Sequence, residues 1–208
     1  MCYYTYGGYM KVLLHICCAP CSAYCIKSLR EENIDIVGYW YNTNIHPFEE
    51  YKNRLEALKE YSKMRDLDVI YNDNYGLVEF TKNVVNDINN RCGYCYTSRM
   101  EEVVKYAKEH NYDAFCSTLF ISPYQKHDLL KGICEDLSKK YDIPFLYRDF
   151  RPHFYEGQAM FKQTGLYMQK YCGCVFSEME ARLKKINKSI EDSNKKNIET
   201  EKKLYNHN

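Results

Sequence analysis

The chain alternates short apolar runs with amphipathic stretches. "KVLLHI" (residues 11–16) is an uninterrupted apolar run of strand length, preceded by a glycine pair, and reads as a buried strand. "CCAPC" interrupts it, and Pro20 suits the first turn of a helix continuing to about Arg30. "DIVGYWYN" (35–42) predicts a second strand and "PFEEYKNRLEALKEYSKMRD" (47–66) a second helix. Within that helix Tyr51, Leu55, Leu58 and Tyr61 recur at three- and four-residue spacing, as one buried face requires. "DVIYN" predicts a third strand, followed by a helix within 77–88 and another over 94–110. "DAFCSTLF" (113–120) reads as a fourth strand, 125–141 as its helix and "PFLYRDF" (144–150) as a fifth strand. Strands alternating with helices predict an α/β class, a single three-layer Rossmann-like domain with a mostly parallel sheet.

This pattern divides the chain into an N-terminal extension (1–10), an α/β domain (11–185) and a charged, flexible tail (186–208). From Lys184 onward charges of both signs alternate with few apolar residues, which predicts a helical extension that frays into solvent. No stretch approaches the ~20 apolar residues of a membrane span. The start of the chain lacks the pattern of a secretion signal, so a cytoplasmic location and no membrane partner are expected.

Lys+Arg 29 against Asp+Glu 28 leave a net charge of +1, so any nucleic-acid partner must be met by a local basic surface. The 22 tyrosines follow a drift toward Tyr, Lys, Asn and Ile along the whole chain. No glycine-rich phosphate loop follows the first strand, so neither ATP nor NAD binding is predicted.

Composition changes the picture at one residue type. Eleven cysteines, an odd number in a chain of this length, argue for metal or redox chemistry in a reducing compartment over a disulfide scaffold. Three groups carry that chemistry: Cys17, Cys18 and Cys21 after the first strand; Cys92 and Cys95 at a helix start; and Cys172 with Cys174. In an open parallel sheet, ligands gather at the carboxyl ends of the strands, where Cys17 and Cys18 fall. Adjacent cysteines converge poorly on one tetrahedral zinc. They can bind separate corners of a [4Fe–4S] cluster, with Cys92 and Cys95 completing its four ligands; zinc remains the alternative. Cys172-Gly-Cys174 has spacing for a strained, easily reduced disulfide, with Gly173 closing the small ring; further ligands or plain thiols remain open. Cys21 could contact an additional metal. Cys25 could equally be packing, while Cys2, Cys116 and Cys134 read as structural, since buried cysteine behaves as a small hydrophobe.

Several motifs in order resemble one known family. "LLHICCAPCSAY", "YWYNTNIHPFEEYKNRLE", "RCGYCYTSRME", "STLFISPYQKHDLL" and "DFRPHF…GLYMQKYCGCVFSE" are similar to the epoxyqueuosine reductase QueH family, over about residues 11–180. The resemblance implies reduction of the epoxide of epoxyqueuosine at the tRNA wobble position, the last step of queuosine biosynthesis. It implies a tRNA partner carrying that nucleoside in its anticodon loop and an electron donor that the sequence does not identify. It places cluster ligands on Cys17, Cys18, Cys92 and Cys95 and a redox-active pair on Cys172 and Cys174. It also implies a further mononuclear iron, for which Cys21 is the candidate contact. "SPYQKH" offers Tyr124, Lys126 and His127 to substrate, although a solvated helix start accounts for the same residues. Arg151 is a candidate phosphate contact or the partner of Asp149. Glu49 and Glu50 fall in a first helical turn, where the helix dipole is sufficient reason for them. His15 reads as structural or as supporting the cysteines from outside.

Overall fold

The computed structural model describes residues 10–205, with side chains through residue 198. Four parallel strands form the centre: β1 (Lys11–His15), β2 (Asp35–Trp40), β3 (Val69–Tyr71) and β4 (Ala114–Ser117). Their spatial order is β3-β2-β1-β4. β1 is central and its Val12, Leu13 and Leu14 are fully buried, because a parallel strand covered on both faces cannot alternate apolar with polar residues. Gly38 in β2 lies where a Cβ would stand 2.7 Å from Ile16 and 2.9 Å from Val69. Any larger residue would push these two buried side chains aside, so glycine suits the position.

Among the described residues there are seven α-helices: α1 (Ala19–Glu31), α2 (Phe48–Met64), α3 (Leu77–Val84), α4 (Arg91–Glu109), α5 (His127–Tyr141), α6 (Phe154–Lys162) and α7 (Val175–Tyr205). α1 packs with α2 and α6, whereas α4 packs with α3 and α5, giving the helical layers on either side of the sheet. The main core of Ile, Leu, Val, Phe and Tyr side chains lies between the sheet and these helices, and a second, small cluster of Phe80, Val84, Cys95 and Cys174 joins α3, α4 and the start of α7. None of the described helices is long and apolar enough to cross a membrane.

Three segments differ from the sequence pattern. Residues 144–150 do not form a fifth strand; they make one parallel bridge, between Phe115 and Phe145. β4 is only four residues long and coils into a 3-10 turn at Thr118–Ile121, so the edge offers too little backbone to pair with. For the same reason the fourth strand ends at Ser117 and not at residue 120. The charged segment beyond Lys184, by contrast, continues α7 to Tyr205, as expected of a C-terminal helical extension. α6 is absent from the pattern-based reading, because "FYEGQAMFK" spans only nine residues. Residues 1–9 of the predicted extension (1–10), Cys2 among them, lie outside the described residues.

The topology creates one special place. β1 connects onward to β2 on one side, while its other neighbour, β4, arrives from β3. The carboxyl ends of β1 and β4 therefore flank the crevice where an open α/β sheet binds ligands.

Candidate metal and thiol site

β1 ends at His15, and the chain turns through Ile16 so that Cys17 and Cys18 face the crevice and Cys21 follows within the first turn of α1. The backbone N–H of Cys17 donates to Thr118 Oγ1 at 3.1 Å, tying the end of β1 to the end of β4. The sulfurs of Cys17, Cys18 and Cys21 lie within 4.8 Å of one another, and all three residues are buried. Cys17 and Cys18 sulfurs are 3.7 Å apart.

These thiols do not titrate alike. Hydrogen bonds from the Cys18 and Cys21 thiols, helped by the Thr118 hydroxyl at 3.4 Å, hold Cys17 well below the ordinary thiol value despite burial. Burial first, and then donation to Cys17, pushes Cys18 up. Engagement with Cys17 and Cys18 pushes Cys21 up, with burial adding to it. The trio is thus a soft-donor set, with Cys17 the most acidic of the three, that a thiophilic metal can occupy by displacing thiol protons.

The second cysteine group lies on the first turn of α4. Cys95 is buried and Cys92 half-buried. Burial drives the Cys95 thiol up to about 12, opposed by the guanidinium of Arg99. Arg99 is 2% exposed, and it donates to the Cys95 sulfur at 3.2 Å, the Cys95 carbonyl at 3.0 Å and Asn42 Oδ1 at 3.3 Å. Cys95, Cys172 and Cys17 all act electrostatically on this one guanidinium. Arg99 is thus a cation shared by the three groups.

The third group arrives from the far end of the chain. Residues 171–173 are fastened to the loop and helix after β2. Arg54, 3% exposed, donates to the carbonyls of Cys172 at 2.8 Å and Tyr171 at 3.0 Å. Its Nε meets Glu50 at 2.6 Å, whose other oxygen accepts from the Tyr167 hydroxyl. The His46 N–H donates to the Gly173 carbonyl at 2.8 Å, and the Tyr171 hydroxyl to the His46 carbonyl at 2.6 Å. Gly173 has φ +151°, and a Cβ there would meet Asn44 at 3.1 Å and Ile45 at 3.3 Å. The glycine is required by conformation and by space.

Cys172 and Cys174 are both free thiols with different surroundings. Cys172 lines the same cavity as Cys17, Cys18 and Cys21, a space of about 370 Å³. Although the residue is exposed, protein surrounding its sulfur raises the thiol, opposed by Gln125, which donates at 3.4 Å, and by Arg99. Cys174 packs instead with Cys95, Phe80 and Val84, its sulfur accepting from the Ser177 N–H at 3.3 Å.

The polar residues singled out by sequence scatter. Tyr124 lines the cavity. Lys126 reaches the Asn89 carbonyl at 3.3 Å. His127 is buried against Phe120 and Tyr147, 3.9 Å from Asp149. Arg151 makes a two-point pair with Asp149 at 2.8 and 2.6 Å. His15 is buried and bonded to Ser117 Oγ at 3.0 Å, and burial lowers it to about 3. Sequence reasoning missed Arg54, Arg99, Gln125 and Gln169, whose Nε2 stands 3.0 Å from the Cys18 sulfur. A signal for the two arginines existed. Each falls on the buried stripe of its helix, Arg54 among Tyr51, Leu55 and Leu58, and Arg99 among Tyr96, Met100 and Val103.

Comparison with known proteins identifies a family. Residues 12–180 match the family model described as "Epoxyqueuosine reductase QueH". A protein of that name from Dehalococcoides mccartyi is 41% identical over 170 residues, covering 82% of this chain and 93% of that one. One from Thermotoga maritima is 32% identical over 183 residues, 83% of this chain and 93% of that one. A third, from Staphylococcus aureus, is 33% identical over 184 residues, 82% and 76% respectively.

Proposed function

The chain belongs to the epoxyqueuosine reductase QueH family, and we propose that it carries out the reaction of that name on tRNA in the cytoplasm, completing queuosine at the wobble position. The observation that supports this most directly is the meeting of distant cysteines. The trio at the end of β1 and Cys172 share one cavity, with Arg99 between them and Cys95.

We assign Cys17, Cys18, Cys92 and Cys95 to a [4Fe–4S] cluster, Cys21 to an adjacent iron, and Cys172 with Cys174 to a redox pair. The donors suit iron: the sulfurs of Cys17, Cys18 and Cys21 lie within 4.8 Å of one another, and beside Cys18 the buried Gln169 amide oxygen has no hydrogen-bond partner. Four thiolates on such a cluster would leave a net negative charge, and the buried guanidiniums of Arg99 and Arg54 would offset it in a low-dielectric site. When bound, such iron supplies one-electron transfer and a Lewis acid for the departing oxygen.

The rest is performed by the chain's own residues. Converting an epoxide to an alkene takes two electrons and two protons and releases water. Oxidising the Cys172 and Cys174 thiols to a disulfide yields two electrons and two protons, so one reduced pair balances one turnover. The electron donor then restores the dithiol. Arg54 and Gln125 hold Cys172 at the cavity wall, and Gly173 permits the segment's path past Asn44. Protein purified without oxygen is expected to contain iron and sulfide and to convert epoxyqueuosine in tRNA within a single turnover. Cys172→Ser is expected to lose conversion and keep its iron. An iron-free preparation with full activity would refute the assignment, and loss of iron in Cys172→Ser would make Cys172 a ligand.

A further inference from the structure

The cavity mouth carries two features that the thiol chemistry does not use. Tyr124 and Tyr155 are each 78% exposed, the most exposed aromatic side chains among the described residues. Both rings pack edge-on to Phe154, at 5.8 and 5.3 Å between centroids, which joins three aromatic rings into one surface. Tyr124 and Phe154 also line the cavity that holds Cys17, Cys18 and Cys172. Large apolar rings left in water beside a site mark a binding surface.

The second feature is charge without a partner. Lys170 and Lys184 line the same cavity and are exposed. Among the described residues neither makes a hydrogen bond or ion pair, unlike other charged groups nearby. Glu180 is held by Arg91 at 2.6 Å, and Lys126 and Arg151 are engaged by Asn89 and Asp149. The chain as a whole carries only +1, so these two lysines represent a local attraction that composition conceals.

We propose that this mouth is a single-stranded RNA rim, on which Tyr124, Phe154 and Tyr155 stack a base neighbouring the target nucleotide while Lys170 and Lys184 meet the backbone phosphates. The inference rests on the functional reading above and extends it from the reaction to the binding surface. A cavity of about 370 Å³ admits one substituted base and not a helix, so the flanking nucleotides must be held outside it. Exposed aromatics beside unpaired cations are the combination that binds unstacked strands with little sequence preference. The cations favour such a strand over an apolar peptide, which would use the rings and ignore the lysines.

The test is fluorescence anisotropy with an anticodon stem–loop hairpin bearing unmodified guanine at the wobble position, titrated at several salt concentrations. Tyr124→Leu and Tyr155→Leu are each expected to weaken binding about tenfold, the effect of losing one stacked base, with the salt slope unchanged. Lys170→Gln/Lys184→Gln is expected to reduce that slope by about 1.4, at roughly 0.7 per phosphate contact. A fully paired RNA duplex should show none of the tyrosine losses. Wild-type affinity in both tyrosine variants overturns the rim while leaving the reaction intact. Weakened variants in a protein that never reduces epoxyqueuosine uphold the rim and reject the reaction. A wild-type chain that does not bind the hairpin overturns both. All four residues are solvent-exposed, and circular dichroism of each variant verifies its fold.

Discussion

Removing the Arg54 guanidinium should do more damage than removing the ion pair to which it belongs. Arg54 is 3% exposed and Glu50 8%, and the guanidinium makes contacts of 2.6, 2.8 and 3.0 Å to Glu50, Cys172 and Tyr171. Arg54→Met leaves a buried carboxylate with only the Tyr167 hydroxyl and strips two carbonyls of their donors. Breaking a buried pair from one side costs about 3–5 kcal/mol. For a chain of this size that corresponds to a melting temperature about 6–20 °C lower. Arg54→Met/Glu50→Gln removes the uncompensated charge, so it should recover roughly half of the loss while still lacking the clamp on residues 171 and 172. The assay is thermal unfolding of anaerobically isolated protein, with iron measured on the same samples. If the single variant is as stable as the double, or more so, the charge argument is wrong. Cys172 alkylation gives an independent reading. It should accelerate in both variants, because both free the segment that carries the sulfur.

Gly173→Ala combines a left-handed φ with contacts of 3.1–3.4 Å to Asn44, Ile45 and Arg54; a loss of about 1–3 kcal/mol and a displaced, more reactive Cys172 should appear in unfolding and alkylation assays. His46 is fully buried and its pKa is lowered to about 4 by burial. The unfolded chain therefore takes up this proton first as pH falls below ~6.5, and stability should drop between pH ~6.5 and about 4 by at most ~3 kcal/mol. His46→Asn should lack that component, as urea titrations across the window would reveal; an unchanged slope would contradict the neutral buried ring. Cys134→Ala, at a fully buried position that does not line the cavity, should keep its full iron content and lose about 1 kcal/mol. Cys18→Ala should lose iron, and equal iron in the two variants would reject the sulfur trio as a binding site.

Periodicity revealed the fold where elements were long or wholly apolar. β1, β2, α2, α4 and α5 lie within a few residues of their predicted places, because each buries a continuous run or a clear stripe. It failed where length was dictated by tertiary partners. Residues 144–150 have strand-like composition, yet β4 curls away after four residues and leaves them one bridge. The trio of Cys17, Cys18 and Cys21 could be read from spacing, because three sulfurs within five residues at a strand end can hardly avoid one another. Arg54 and Arg99 could not, since nothing in a single sequence says whether a guanidinium on a helix points to water or to a buried sulfur. The signal lay in position, a charge placed on an apolar stripe, and it becomes decisive only when the facing segments are known. Gln125 and Gln169 had no signal at all, because an amide in a loop declares no partner.

The surroundings of Cys172 and Cys174 constrain any redox role for the pair. Cys172 belongs to the cavity wall, tethered by Gln125 at 3.4 Å, and Cys174 to the Phe80–Cys95 cluster, tethered by the Ser177 N–H at 3.3 Å. Joining the two sulfurs would break at least one of these contacts and turn a side chain past Gly173. The carbonyls of residues 171–173 stay fixed by Arg54 and His46, so the motion is confined to the two side chains and the glycine. Oxidation under the proposed mechanism should then perturb groups reporting on each side. Gln125 would lose its sulfur acceptor, and Tyr96, whose hydroxyl donates to Gln125 at 2.7 Å, would register the change. Near-ultraviolet difference spectra of the oxidised and reduced protein should carry a tyrosine signal that Tyr96→Phe reduces. A difference spectrum unaffected by Tyr96→Phe would mean that Cys172 stays in place on oxidation, and that Cys174 alone leaves its pocket.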